Sequence, residues 1–507
     1  MPIIRQSIQR LANGFRWILS LLARICSQVF EKQRTQLCSP QSQSNFFMKT
    51  ARTIQGRWYI FGDNQQPAVG VLKFDPDVGL TLDAQRHRAP DLAQALLGGT
   101  GFNAPAVIRG VDAHGTAVTL FGCAVSNYNL TAALDDYKIV SACAIVGAHF
   151  NQFHDAIYNS VRASYSVLDS WLTRSGIVNV PRNGGLPAYS FEHQPDIIVT
   201  LNGGITLALT MGLGTQFTNS SMTLSQSQFA QFTAPNPTPL STLIDGYIFR
   251  FGKLLSFLAR TEVFVDQVVV PQAGAVPREV EWLSGAVGST KAKRTLHHQA
   301  VLVSYQEIAA DFPALVVNWF NYYEQMEAIL NLYFTATAKS DIPAETRFLL
   351  LAQALEAYHS RSDRFFNVVQ PPHEFEARRD ALVAAVPAGE RRWLREKLGF
   401  ANMKILAQRL EDLIADQQAH VPQFINDTAL FANTVRWTRN YYTHFGEDEE
   451  DRTQAGRGRI AQGANIIVYS SQMQALLELL FIRDLNLPAV AAGRSVARAQ
   501  QFQVIGA

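Results

Sequence analysis

Arg439 and His444 lie five positions apart in the stretch Ala429–Glu447 (ALFANTVRWTRNYYTHFGE) and are the side chains of this 507-residue chain best suited to chemistry. A guanidinium can neutralise a phosphate, and an imidazole can move a proton near neutral pH. Asn440 directly follows the arginine, and Tyr441 and Tyr442 add two rings. RNA carries its own nucleophile, the 2′-hydroxyl, so this inventory is the minimum for cutting it without a metal.

The segment has to be a helix for these residues to act together. Leu430, Phe431, Val435, Tyr441 and Tyr442 keep the apolar spacing of one helix face, uninterrupted by proline. Asn426 or Asp427 can cap the start, and Gly446 with the acidic run Glu447–Asp451 reads as the stop. His444 then falls in the last turn, where exposed carbonyls favour the imidazolium. At about 100° per residue, Arg439 and His444 diverge by about 140° around the axis. They can line one cleft from its edges, or across a second subunit. Asn440 and His444, four apart, share a face.

Spacing alone is a weak signal. Arg109 and His114 repeat it inside Arg-Gly-Val-Asp-Ala-His-Gly, a turn between strands. Without further context, a helix-end histidine and a surface arginine are the commoner outcome.

The context is supplied by a resemblance. Arg439-Asn440-x3-His444 on a late helix matches the Arg-x4–6-His signature of HEPN ribonucleases. The layout resembles the ApeA-type anti-phage proteins, which place a β-rich region ahead of a C-terminal HEPN helical bundle. Gly147–Phe150, Ser170–Leu172, Phe251–Leu258 and Leu351–Tyr358 support it, and the likeness runs from about Met48 to Leu487. The resemblance implies an RNA-cleaving effector that halts growth, acting as a homodimer through the HEPN domain. Two motif helices would face each other across one composite cleft. His444 and Arg439 would be catalytic, with Asn440 orienting the phosphate or His444. Glu356 would stand behind the cleft or pair with a nearby arginine. The β-rich half would sense a phage-derived trigger. A non-catalytic HEPN-type module that binds nucleotide or a partner remains the alternative, and nucleotide transfer by a partnered enzyme a third.

Composition sets the remaining bounds. Net charge is only +2, so any RNA contact must come from a local cluster; Tyr441, Arg452 and Arg457 are the candidates. Four cysteines (Cys26, Cys38, Cys123 and Cys143) form no Cys-x-x-Cys pair, which reads as a reduced, cytoplasmic chain. No metal or other cofactor is expected. Glu356-x-x-His359 is half of a di-iron motif without a second copy, and His149, His154 and Asp155 lack a partner cluster. Gly99–Ala104 has the letters of a dinucleotide loop, but Pro105 follows where a helix should start.

The fold class expected is α+β and multidomain. Residues 48–311 read as short strands, among them Trp58–Phe61, Ala68–Phe74, Ala117–Phe121, Ile197–Thr200 and Ala300–Val303, arranged as a sandwich or a pair of sheets. Thr242–Leu258 is the helix within them. At Asp311–Phe312 the period changes from two to 3.6, opening a helical bundle over 312–490 with a tail at 491–507. Residues 1–47 read as an extension and linker outside the fold, disordered or introduced by a start codon placed too early. Phe15–Phe30 is too short and interrupted for stable membrane insertion. A peptide map of the native protein is expected to lack residues 1–47; abundant peptides from that stretch would place it in the mature chain.

Overall fold

The computed structural model describes residues 51–60, 66–87, 106–130, 134–180, 188–218, 220–272, 278–285, 296, 300–338, 342–444 and 460–506. The extension 1–47, the loop Gly99–Ala104, Gly446 with the acidic run, and Arg452 and Arg457 lie outside them. Two units separate by their internal packing: residues up to Ala163 with Phe264–Ala292, and Ser164–Val263 with the chain from Lys293 onward.

In the first unit, alternating apolar residues build one continuous antiparallel ladder instead of the expected pair of sheets. Its spatial order is Val265–Gln272, Arg278–Ser284, Cys143–Val146, Ala117–Phe121, Val107–Asp112, Arg52–Tyr59, Ala68–Asp75, Gly79–His87, Leu134–Ser141 and Ala124–Leu130. Every second residue faces a common core, where Trp58, Leu72, Leu82, Ile108, Leu120 and Ile139 are fully buried. Trp58 Nε1 donates to Gly70 O at 3.1 Å. Gly110 is required beside it, because a Cβ there would stand 2.3 Å from the indole ring. Arg109 and His114 flank a strand end and turn, with His114 N–H held by Asp112 Oδ1 at 2.8 Å. Their matching spacing is a coincidence of a β-turn.

The second unit is mostly helical. Ile197–Thr200, Thr206–Phe217 and Met222–Pro239 form an antiparallel run. Helix α1 (Leu168–Leu172) precedes it. Helix α2 (Leu240–Leu243) passes through a π-turn at Ile244–Ile248 into α3 (Phe249–Ala259). There follow α4 (Tyr305–Ile308), α5 (Phe312–Ala338), α6 (Ala344–Arg361), α7 (Pro372–Ala384) and α8 (Arg391–Leu398). Then come α9 (Leu406–Asp416), α10 (Thr428–His444), α11 (Ala464–Asp484) and α12 (Ala489–Gly506). The β-rich region followed by a helical region agrees with the α+β expectation.

Two local expectations fail. Val301–Val303 is buried but is not a strand; the Leu302 and Val303 amides instead cap α3 by donating to Leu258 O at 2.9 and 3.1 Å. Residues 491–506, expected as a tail, belong to α12, whose Ala491, Ala492, Val496 and Ala499 are buried. Among the described residues, one helix is long and apolar enough to cross a membrane, α11, and 67% of its most apolar window is buried within the fold.

That burial includes a charge. Glu478 on α11 is buried and accepts from Tyr333 Oη at 3.0 Å and Gln474 Nε2 at 2.8 Å. Arg260, in the left-handed region at the end of α3, and Ser495 on α12 both reach its other oxygen. Burial alone would raise the Glu478 pKa, but Arg260, Ser495 and Arg498 together bring it below the ordinary carboxyl value. Removing one partner leaves the other buried and uncompensated. Arg260→Met should therefore cost about 3–5 kcal/mol in chemical denaturation, and the double change Arg260→Met, Glu478→Leu should recover most of it.

Candidate functional site

Helix α10 carries the arginine–histidine pair. Asp427 starts it, its Oδ1 accepting the Leu430 amide at 2.9 Å. The inward stripe is Phe431, Thr434, Val435 and Thr438, whereas Leu430, expected inside, is exposed. Two threonines stand in this stripe, and the buried Thr434 hydroxyl has no hydrogen-bond partner among the described residues. Thr438 is buried and its Oγ1 accepts the Ala461 amide at 2.8 Å, fastening the returning chain to the helix. Arg436 lies over the half-buried Trp437 ring, 4.9 Å from its centroid.

Arg439 is half-buried at the edge of this stripe. Its Nη2 donates to Glu356 Oε2 on α6 at 2.8 Å, and its Nη1 donates to Asn440 Oδ1 at 3.3 Å. Glu356 is thus brought to the motif, directly against its arginine. Asn440 shares a helix face with His444 by spacing, yet its amide oxygen is turned to Arg439. His444 is exposed in the last turn of α10, clear of the apolar core. The Tyr441 and Tyr442 rings meet edge to face, 5.1 Å between centroids, and both are half-buried. Burial, then Glu345 and Tyr441, raise the Tyr442 pKa above its ordinary value. The arrangement offers a guanidinium with two of its five N–H groups engaged among the described residues, and an imidazole reachable from solvent.

Helix α6 also carries a feature that spacing did not reveal. One turn beyond Glu356, His359 is fully buried and its Nε2 lies 2.7 Å from Asp412 Oδ2 on α9. Lys404 Nζ reaches the same oxygen at 2.6 Å, and the Phe365 ring stacks on the imidazole. Glu356 and His359 thus serve different neighbours, unlike the two ends of a shared metal motif. His149, likewise considered as a ligand, is engaged with Gly110 O at 2.8 Å.

The carboxylate of Asp412 can only accept, so His359 donates from Nε2 and leaves Nδ1 as a buried lone pair without a partner among the described residues. Protonation would place an N–H there with nothing to receive it. Burial holds the His359 pKa below the ordinary value, Arg409 and Lys404 push the same way, and Asp412 opposes them. The folded pKa thus lies below the unfolded value of about 6.5, so the unfolded chain binds more protons in acid. The stability it carries is intact above about pH 6.5 and declines as pH falls from there towards the folded pKa. The slope is at most about 1.4 kcal/mol per pH unit. Urea titrations at pH 7.5 and 5.5 should show this loss in the native chain and a smaller one in His359→Gln.

Comparison with known families covers both halves of the chain. A model described as ApeA N-terminal domain 1 matches residues 53–319, just over half of it. A second, described as Apea-like HEPN, matches residues 349–490, which include Glu356, Arg439, Asn440 and His444. No curated protein matches the chain.

Proposed function

Because the chain belongs to the family of ApeA-like proteins, with an ApeA N-terminal domain ahead of an ApeA-like HEPN domain, we propose that it is a metal-independent endoribonuclease effector of anti-phage defence. The observation that carries this reading is a carboxylate-held guanidinium and an exposed imidazole within the last two turns of α10. In the proposed reaction the substrate's 2′-hydroxyl attacks the adjacent phosphorus. His444 takes the hydroxyl proton or protonates the departing 5′-oxygen, and Arg439 stabilises the charge growing on the phosphate. Glu356 and Asn440 hold Arg439 in one orientation. The products are a 2′,3′-cyclic phosphate and a free 5′-hydroxyl.

Five helical residues place the two groups about 7.5 Å apart along the axis. Their divergence around it is bridged when a second α10 closes the other side, so the site works as a homodimer. Tyr441 and the arginines Arg452 and Arg457 would contact RNA around the scissile phosphate. The region 48–311 serves as sensor for an infection signal and 312–490 as the nuclease, acting in the cytoplasm. Arg439 already has a carboxylate partner, which would also suit a non-catalytic binding module; activity separates the two.

Purified full-length protein should cut single-stranded RNA in excess EDTA and leave DNA of the same sequence intact. Arg439→Ala and His444→Ala should each lower the rate about 10²–10⁴-fold. Folded variants that cut at the native rate would remove both residues from the mechanism.

A further inference from the structure

Between α6 and α9 the chain leaves the bundle as an arm, Asp363–Ile405, with almost no interior of its own. Only Val383 and Asn402 in this stretch are buried. A short ribbon forms its base, with Val369 N–H donating to Asn402 O at 2.8 Å, Lys404 N–H to Asn367 O at 3.0 Å, and Val368 opposite Met403. The Asn402 amide closes it by accepting from Gln370 N–H and donating to Gln370 O, both at 2.9 Å. Helices α7 and α8 follow from this base.

The arm turns its apolar side chains outward. Phe366 and Phe400 leave 81% and 83% of their surface exposed, Trp393 leaves 51%, and Val369, Leu382, Met403 and Ile405 are exposed as well. With aromatic side chains of about 150–250 Å² each, this amounts to on the order of 700 Å² of apolar surface. Summed over the arm, this approaches the roughly 800 Å² that each side of a standard interface supplies. Beside the ribbon lies a cavity of about 250 Å³ lined by Val369, Phe375, Leu382 and Leu398, with Arg378 and Arg379.

Charge selects the occupant. Helix α7 holds three carboxylates (Glu374, Glu376 and Asp380) beside two arginines, whereas α8 holds four cations (Arg391, Arg392, Arg395 and Lys397) beside Glu396 alone. Arg392 pairs with Glu396 at 3.1 Å, and Asp380 lies 3.3 Å from Arg379 and 3.8 Å from Arg395. The excess of cations on α8 and of carboxylates on α7 gives a second copy opposite charge to meet. Under a two-fold axis α8 of one copy can face α7 of the other. We infer that the arm is the self-association surface of this chain: exposed phenylalanines of one copy fill the Val369–Leu382 cavity of a second. This deepens the proposed function, resting on it only for the consequence that the arms bring two motif helices into one assembly.

Sedimentation velocity of the full-length chain over a wide concentration range tests the inference. The native chain should dimerise, and Phe400→Asp and Leu382→Arg should each weaken association at least 100-fold. Both sites are exposed, so circular dichroism should be unchanged, and Phe400→Leu should stay within tenfold of native. A chain monomeric at every concentration would overturn the inference, as would a dimer indifferent to both charged variants. Association that appears only with added RNA or a second protein would give the arm to that partner instead. Arg439→Ala should dimerise like the native chain, so failure of the nuclease reading and failure of the arm are read separately.

Discussion

A half-buried guanidinium needs a partner, and the one between Arg439 and Glu356, at 2.8 Å, is the contact on which the candidate site depends. Both side chains keep about a third of their surface in solvent. Such a pair adds only about 0–1 kcal/mol to stability. Its effect is geometric: it chooses one rotamer for a long, entropic side chain and ties α10 to α6 at that level. A carboxylate occupies one edge of the fork, and further N–H groups of the guanidinium remain to meet a phosphate.

Helix α6 makes that pairing dependable because its last turns are fastened in three directions. Glu356 reaches α10, and Tyr358 donates to Asp484 Oδ2 on α11 at 2.5 Å while accepting from Arg483 Nη2 at 2.7 Å. His359 holds Asp412 on α9. Steps of about 100° per residue send these side chains to separate neighbours, so one stretch of helix sets the position of three others. Between them, the buried Phe348, Leu351, Leu355 and the Tyr358 ring supply the apolar packing that supports the polar contacts.

Much of this was legible in the sequence, for identifiable reasons. The change of period at Asp311–Phe312 marked where the helices begin, and α5 starts at Phe312, because local periodicity carries that information. The strands Ala68–Asp75 and Ile197–Thr200 stood out by alternation and β-branching. What depended on distant partners was not legible. Glu356 and Arg439 are 83 positions apart, and nothing local says which arginine a glutamate will meet. Val301–Val303 has the composition of a strand, but the open end of α3 claimed its amides. Leu430 matched the apolar pattern, yet threonines took the inward stripe, since Thr438 had a backbone amide to satisfy. The order of strands in the ladder, joining neighbours far apart in sequence, likewise leaves no local trace.

The charge economy of the site bears on how a substrate would be chosen. The whole chain carries +2, and the motif arginine is already balanced by Glu356. At distances beyond about 8–10 Å, salt screens what field is left. Long-range steering therefore contributes little, and in the proposed reaction RNA would be selected at contact range, where a phosphate would share the guanidinium and a base would meet Tyr441. Contact selection requires the cleft walls to be in place before the substrate arrives. A single α10, whose arginine and histidine diverge by about 140°, would supply only one wall of such a cleft, and the proposed homodimer would supply the other.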